Sequence, residues 1–264
     1  MMRVSMTPSA QLLNLAQIAH DAGKAIMEIY NSDFKSELKS DQSPVTAADE
    51  VAEAIILKRL GNALPVIAEE QMAAGKQTKI GHAFYLVDPL DGTKEFISRN
   101  GEFTVNIGLI ENGHPTMGVV YAPALGELYI GQIGVGAFQT KLLVDQLFNA
   151  AAFTEISARA LPITGATVLA SRSHLDKDTE NFIAQTKVEK LINAGSSLKF
   201  CRIASGVADL YPRFGRTMEW DTAAGHAVLC AAGGSVTQPT DDAFLYGKVD
   251  LSFANGAFIA RGKP

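Results

Sequence analysis

The chain has 264 residues, 47% of them hydrophobic, and a formal net charge of -5 at pH 7. That length suits one large domain or two modest ones sharing a core, and the apolar content excludes a disordered chain. The negative balance offers no global field for a nucleic-acid polymer, although local cations or a bound metal can still hold a small anion.

Cys201 and Cys230 lack zinc-type spacing and are too few for a disulfide framework, so reduced thiols in the cytoplasm are expected. Met1 to Thr7 has one Arg and no apolar stretch behind it that resembles a signal peptide. No run approaches the roughly 18 apolar residues that span a bilayer. The expectation is a soluble cytoplasmic protein with no integral membrane segment. Peripheral attachment to the inner membrane stays open.

From Leu12 to Ile29, the residues Leu12, Leu15, Ala16, Ala19, Ile26 and Ile29 fall on one helical face, with Thr7-Pro8 read as N-cap and first-turn proline. A second helix is predicted from Ala47 to Leu60, ending at Gly61. Thr46-Ala47-Ala48-Asp49 at its start has the spacing of a capping box. Val66 to Ala68 and Phe84 to Val87 are short apolar runs, each leading into acids. Phe103, Val105, Ile107 and Leu109 alternate with Thr104, Asn106 and Gly108, the period of a half-buried strand. Met117 to Tyr121, Glu127 to Ile130 and Ala137 to Gln139 continue an antiparallel sheet, predicted to carry helices on one side.

Residues 141–160 are read as a boundary between an α+β subdomain, 1–150, and an α/β subdomain, 151–264. Beyond it come a strand at Thr167 to Ala170, a helix near Asp176 to Gln185, and a helix from Leu198 to Ala208. A last helix is predicted from Asp221 to Ala232, stopped by Gly233-Gly234.

Glu69, Glu70, Asp88 and Asp91 all follow apolar strands, at the sheet rim where active sites collect. Mg²⁺ prefers oxygen ligands and keeps some waters, so two or three carboxylates with a substrate phosphate suit it. A tight turn at Pro89-Leu90 can aim Asp88 and Asp91 at one point, and Gly92 and Thr93 can offer amides to phosphate. The same residues also suit a turn in which Asp and Gly serve geometry alone. Asp221 doubles as a first-turn helix acid, and Asp49 as the capping-box acid. Ser171, His174, Gly195 and Lys199 lie in polar stretches that can hold an anion or be ordinary loops. His20, His82, His114 and His226 show no metal-ligand spacing.

Asp88-Pro89-Leu90-Asp91-Gly92-Thr93, Glu69-Glu70 and Trp220-Asp221-Thr222-Ala223-Ala224-Gly225 resemble, in order and at sensible separation, the signatures of the inositol-monophosphatase superfamily. The resemblance covers essentially the whole chain. Within it, Ser43 to Asp49, Gly92 to Phe96, Gly101 to Asn106, Gly195 to Cys201 and Tyr211 to Gly215 are similar to the bacterial 3′(2′),5′-bisphosphate nucleotidases. It implies an α+β fold, a layered α-β-α-β-α sandwich of the inositol-monophosphatase/fructose-1,6-bisphosphatase type.

The implied activity is hydrolysis of adenosine 3′,5′-bisphosphate to AMP and phosphate, clearing a by-product of sulfate assimilation. It further implies two or three Mg²⁺ ions held by Glu69, Asp88, Asp91, Asp221 and the Leu90 carbonyl, and an Asp49–Thr93 pair that helps activate water. Asp91, Gly92 and Thr93 hold the phosphate, and Ser171, His174, Gly195 and Lys199 contact the nucleotide. Most metal ligands fall in the first subdomain; the nucleotide contacts and Asp221 fall in the second. Ala68 departs from the Gly or Ser common before the two acids, without changing a ligand. Li⁺ sensitivity is expected from the family, and a homodimer is compatible with it. The rivals are an inositol or broad sugar-phosphate phosphatase on the same scaffold and, from another class, a nonenzymatic nucleotide or Mg²⁺ sensor.

Overall fold

The computed structural model describes residues 7–32, 36–38, 44–171 and 176–264. The chain runs through α1 (Ala10–Tyr30), β1 (Ser36–Leu38), β2 (Pro44–Thr46), α2 (Ala47–Leu60), β3 (Val66–Ala68), α3 (Glu69–Ala73), β4 (Ala83–Asp91) and α4 (Thr93–Ile97). A meander follows in β5 (Thr104–Glu111), β6 (His114–Ala122), β7 (Glu127–Gln132), β8 (Gly136–Lys141) and β9 (Thr154–Ile156). Then come β10 (Ala166–Ser171), α5 (Lys177–Gln185), β11 (Val188–Ala194), α6 (Leu198–Ala204), β12 (Leu210–Arg213) and β13 (Thr217–Met218). The chain closes with α7 (Glu219–Ala231), β14 (Ser235–Thr237), β15 (Ala254–Asn255) and β16 (Phe258–Arg261).

A seven-stranded sheet has the order β3-β4-β5-β6-β7-β8-β9, antiparallel except for the parallel β3–β4 pair. A five-stranded mixed sheet has the order β11-β10-β12-β16-β14. Alternation along the large sheet sends Val105, Ile107, Val119, Tyr121, Leu128 and Ile130 into a core with α1 and α2. The opposite face gives Phe84, Leu86, Val120 and Tyr129 to a core shared with α6 and α7. Phe200 and Ile203 of α6 reach Tyr211 and Phe258 of the small sheet in that same core. On the outer face of the small sheet, Val168, Leu210 and Ile259 are packed by Phe182 and Ile183 of α5. The five layers are therefore α-β-α-β-α, as the family resemblance implies.

A row of glycines determines how closely α7 sits. Gly108, Gly118 and Gly131 face one another across β5, β6 and β7. A methyl at Gly118 would stand 2.1 Å from the Ala224 carbonyl oxygen, and one at Gly131 would stand 2.6 Å from the Val228 Cα. The missing side chains let the helix backbone rest directly on the sheet and fix the height of its first turn.

Several sequence expectations are corrected. The N-cap of α1 is Ser9, whose hydroxyl accepts the Leu12 N–H at 3.2 Å, leaving Thr7-Pro8 outside the helix. Helices cover both faces of the large sheet, so β5 is buried on both, and Thr104 and Asn106 are fully enclosed against the Ser196-Ser197 turn that leads into α6. The helix after Ser197 stops at Ala204, where Gly206, at φ 72°, reverses the chain. The last helix begins at Glu219, because the Asp221 carboxylate accepts the Met218 N–H at 2.8 Å as a first-turn acid does. Strand β11 and the strands from β12 onward are additions to the sequence reading. Within residues 141–160, β9 pairs with β8 in the large sheet.

Candidate active site

Asp88 and Asp91 stand at the end of β4. In the ladder with β5, Asp88 faces Asn106 and Asp91 faces Thr104, so one extra residue is bulged out on β4. A regular strand would send side chains three apart to opposite faces; the bulge brings both carboxylates to one. Pro89 supplies the bend, and the Asp88 carboxylate accepts the Leu90 N–H at 3.0 Å, an Asx-type turn. Gly92 follows at φ 96°, a left-handed conformation that glycine adopts without penalty, and places Thr93 at the start of α4.

Glu69 opens α3 directly after β3, and Asp221 lies in the first turn of α7. Gly195-Ser196-Ser197 joins β11 to α6 and is laced to the same corner. Gly195 N–H donates to Glu102 Oε2 at 3.0 Å, and Ser196 Oγ donates to the Asp91 carbonyl at 2.7 Å. Glu69, Asp88, Leu90, Asp91, Gly92, Thr93, Gly195, Lys199 and Asp221 all line one cavity of about 320 Å³.

The acids crowd one another. Burial, and then repulsion from Glu69, Asp91, Asp221 and Asp49, pushes the Asp88 carboxyl well above its ordinary range. Asp221 rises likewise through burial and the charges of Asp91 and Glu69. Asp49 is buried on α2 behind the cavity and is part of this field. Such a set, all oxygen donors whose negative charges raise one another's carboxyls, fits a hard divalent cation. Among the described residues no three His, Cys, Asp or Glu side chains form a ready-made cage for a metal.

Lys199 is buried, with Nζ donating to the carbonyls of Ser196 at 2.7 Å and Ala194 at 3.2 Å and lying 5.2 Å from the Tyr211 ring centre. Burial brings its pKa down to about 8. Ser171 closes β10 opposite Ala194 of β11, one residue from Gly195. His174 lies outside the described residues.

The structure adds residues that the sequence reading did not assign to the site. Tyr211, Arg213 and Arg216 line the cavity, and Arg213 moderates the rise of Asp221. Glu53 is buried one helical turn beyond Asp49 on α2 and accepts the Glu70 N–H at 2.8 Å. It thereby supplies from another helix the cap that Ala68 cannot give α3. Burial pushes its carboxyl up to about 7. The Asp49–Glu53 spacing, two acids on one otherwise apolar helix face, was the available signal.

A five-layer α-β-α-β-α sandwich with an acid-lined cavity between its sheets, beside cationic side chains, is the layout of a metal-assisted phosphatase. Residues 9–261 match the inositol monophosphatase family, and the chain belongs to it. It is 44% identical over 230 residues to the 3′(2′),5′-bisphosphate nucleotidase CysQ of Salmonella typhimurium, covering 85% of this chain and 89% of that one. It is 40% identical over 252 residues to the CysQ nucleotidase of Buchnera aphidicola, covering 93% and 91%. Among solved structures, CysQ from Bacteroides thetaiotaomicron superposes with a TM-score of 0.82 at 39% identity, over 97% of this chain and 98% of that one.

Proposed function

We propose that the chain is a Mg²⁺-dependent 3′(2′),5′-bisphosphate nucleotidase that hydrolyses adenosine 3′,5′-bisphosphate to AMP and phosphate. The observation that carries this reading is the shared cavity, where the acids at Glu69, Asp88, Asp91 and Asp221 stand with Lys199, Arg213 and Arg216. A phosphomonoester on a neutral polyol needs a cation-assisted acid cluster and little else. A nucleoside bisphosphate brings a second phosphate, which the side-chain cations can hold. That favours the nucleotidase over an inositol phosphatase, and the intact acid set disfavours a nonenzymatic sensor.

In this reading the carboxylates of Glu69, Asp88, Asp91 and Asp221 and the Leu90 carbonyl hold two or three Mg²⁺ ions. Bound Mg²⁺ supplies charge neutralisation at the phosphate and a lowered pKa for an attacking water. Asp49 and Thr93 would form the pair that helps activate an attacking water. The amides of Gly92 and Thr93, at the start of α4, orient the scissile phosphate together with Asp91. Ser171, His174, Gly195 and Lys199 hold the nucleotide. The first subdomain, 1–150, carries most of the metal ligands, and the second, 151–264, brings Asp221 and the nucleotide contacts.

The relatives' names support 3′(2′),5′-bisphosphate nucleotidase activity, and a role in clearing a by-product of sulfate assimilation follows from the family resemblance. Cytoplasmic location, with room for inner-membrane attachment, rests on the cysteine count and the sequence patterning; Li⁺ sensitivity rests on the family resemblance, with which a homodimer is compatible. No helix among the described residues is long and apolar enough to cross a membrane.

The test is phosphate release from adenosine 3′,5′-bisphosphate and from inositol 1-phosphate, side by side. The nucleotide is expected to be hydrolysed at least about 10-fold more efficiently, a gap of some 1.4 kcal/mol in transition-state binding. Preference for inositol 1-phosphate overturns the substrate and keeps the site.

A further inference from the structure

We propose that Ser197 is a positioning residue that holds Asp91 in the orientation a divalent cation requires; this rests on, and deepens, the reading of Asp91 as a metal-holding carboxylate. Ser197 is 1% exposed and sits where β11 passes into α6. Its amide donates to Asp91 Oδ2 at 2.7 Å. Its hydroxyl lies 3.0 Å from that same oxygen and 2.7 Å from the backbone carbonyl of Asp221. The Asn106 amide, fully buried on β5, donates to the Ser197 hydroxyl at 3.0 Å and at a longer 3.4 Å to Asp91 Oδ2.

Three features follow from these distances. All of these bonds to the Asp91 carboxylate end on Oδ2 and none on Oδ1, which fixes the carboxylate plane through one oxygen and leaves the other for a ligand. The hydroxyl shares one proton between an acceptor on β4 and a nearer one on α7, and together with the amide it ties the end of the strand to the first turn of the helix. Asp91 and Asp221 repel each other through their side chains, and Ser197 joins them through the Asp221 main chain, where no charge opposes the bond. Outer partners of this kind set the orientation of a ligating carboxylate, and their loss commonly lowers metal affinity about 10–100-fold.

The test uses the full chain without substrate, titrated with Mn²⁺ as a paramagnetic divalent probe and followed by electron paramagnetic resonance. Thermal unfolding and the Mg²⁺ concentration for half-maximal turnover are measured alongside. Ser197→Ala keeps the amide bond and removes the hydroxyl; Ser197→Cys fills the same space with a weak donor if the alanine variant is unstable. Both are expected to raise the Mn²⁺ dissociation constant and the half-maximal Mg²⁺ concentration, by about 10-fold for alanine and less for cysteine. Turnover is expected to recover at saturating Mg²⁺. An unchanged Mn²⁺ affinity in a folded variant overturns the proposal, and so does unfolding of both variants at 25 °C, which makes Ser197 a purely structural residue. Failure of the wild-type chain to bind Mn²⁺ or respond to Mg²⁺ removes the reading of the acids, and this inference with it.

Discussion

Asp91 is held from three directions, by Ser197, Asn106 and its own place in the β4 bulge, so its substitution separates chemistry from folding. Asp91→Asn keeps the size and most hydrogen bonds while removing the charge. Turnover is expected to fall at least about 100-fold with an unchanged circular dichroism spectrum. Activity above one hundredth of wild type contradicts the role of Asp91. Lys199 gives a second test at this scale. Lys199→Ala is expected to impair the nucleotide more than a phosphomonoester lacking adenosine, read as separate kcat/KM ratios. With its pKa brought down by burial to about 8, Lys199 is charged below that pH and neutral above it. KM for the nucleotide should therefore rise as pH passes 8 upward, and Lys199→Arg should remove that rise. The sequence made the acids legible because Asp-Pro-Leu-Asp-Gly is a compact pattern. Ser197 and Glu53 were not legible as site residues, since their roles depend on contacts with residues remote in the chain, Asp91 and Glu70.

At the scale of elements, the glycine row under α7 is what brings Asp221 down to the β4 acids. A methyl at Gly118 would meet a backbone oxygen, which no rotamer change can relieve. Gly118→Ala is expected to destabilise the fold by about 3 kcal/mol or more, measured as a lower urea midpoint at unchanged slope. A neutral result contradicts the close seating of the helix. The strands of the large sheet were readable from their alternation between Gly- and Pro-containing turns. Their second buried face was not, because Gly108, Gly118 and Gly131 look like breakers in sequence and become a helix seat only when paired across strands. Strand β11 escaped notice for a different reason: it is an edge strand with Glu189, Lys190, Leu191 and Asn193 exposed, so it lacks an apolar period.

Across the whole molecule, the five layers are built on the seven-stranded and five-stranded sheets, with α6 and α7 belonging to the core that the two share. A fastener just before β12 joins the chain before β10 to the chain after α6. Arg159 meets Asp209 with a bidentate pair at 2.7 and 2.9 Å, and the Thr167 N–H donates to Asp209 at 2.7 Å. Burial pushes the Asp209 carboxyl up, but these bonds outweigh it and hold the group below its ordinary value. A depressed carboxyl contributes stability above its unfolded pKa and loses it as pH falls through the folded one. Asp209→Ala should cost roughly 1–3 kcal/mol near pH 7, with the difference from wild type shrinking below the usual carboxylate pKa in pH-resolved thermal melts. An equal difference at every pH contradicts the ion-pair account. The layered architecture was legible only through the family resemblance, because the small sheet mixes parallel and antiparallel strands gathered from distant stretches.

On the proposed reading, one cavity unites the acids and the chemistry. Phosphate release from adenosine 3′,5′-bisphosphate tests it most directly, measured for the wild-type chain and Asp91→Asn, with Mg²⁺ and with EDTA. Mg²⁺ is expected to support turnover by the wild-type chain and EDTA to abolish it, with almost none by the variant under either condition. Release that survives EDTA, or a variant as active as wild type, would contradict it.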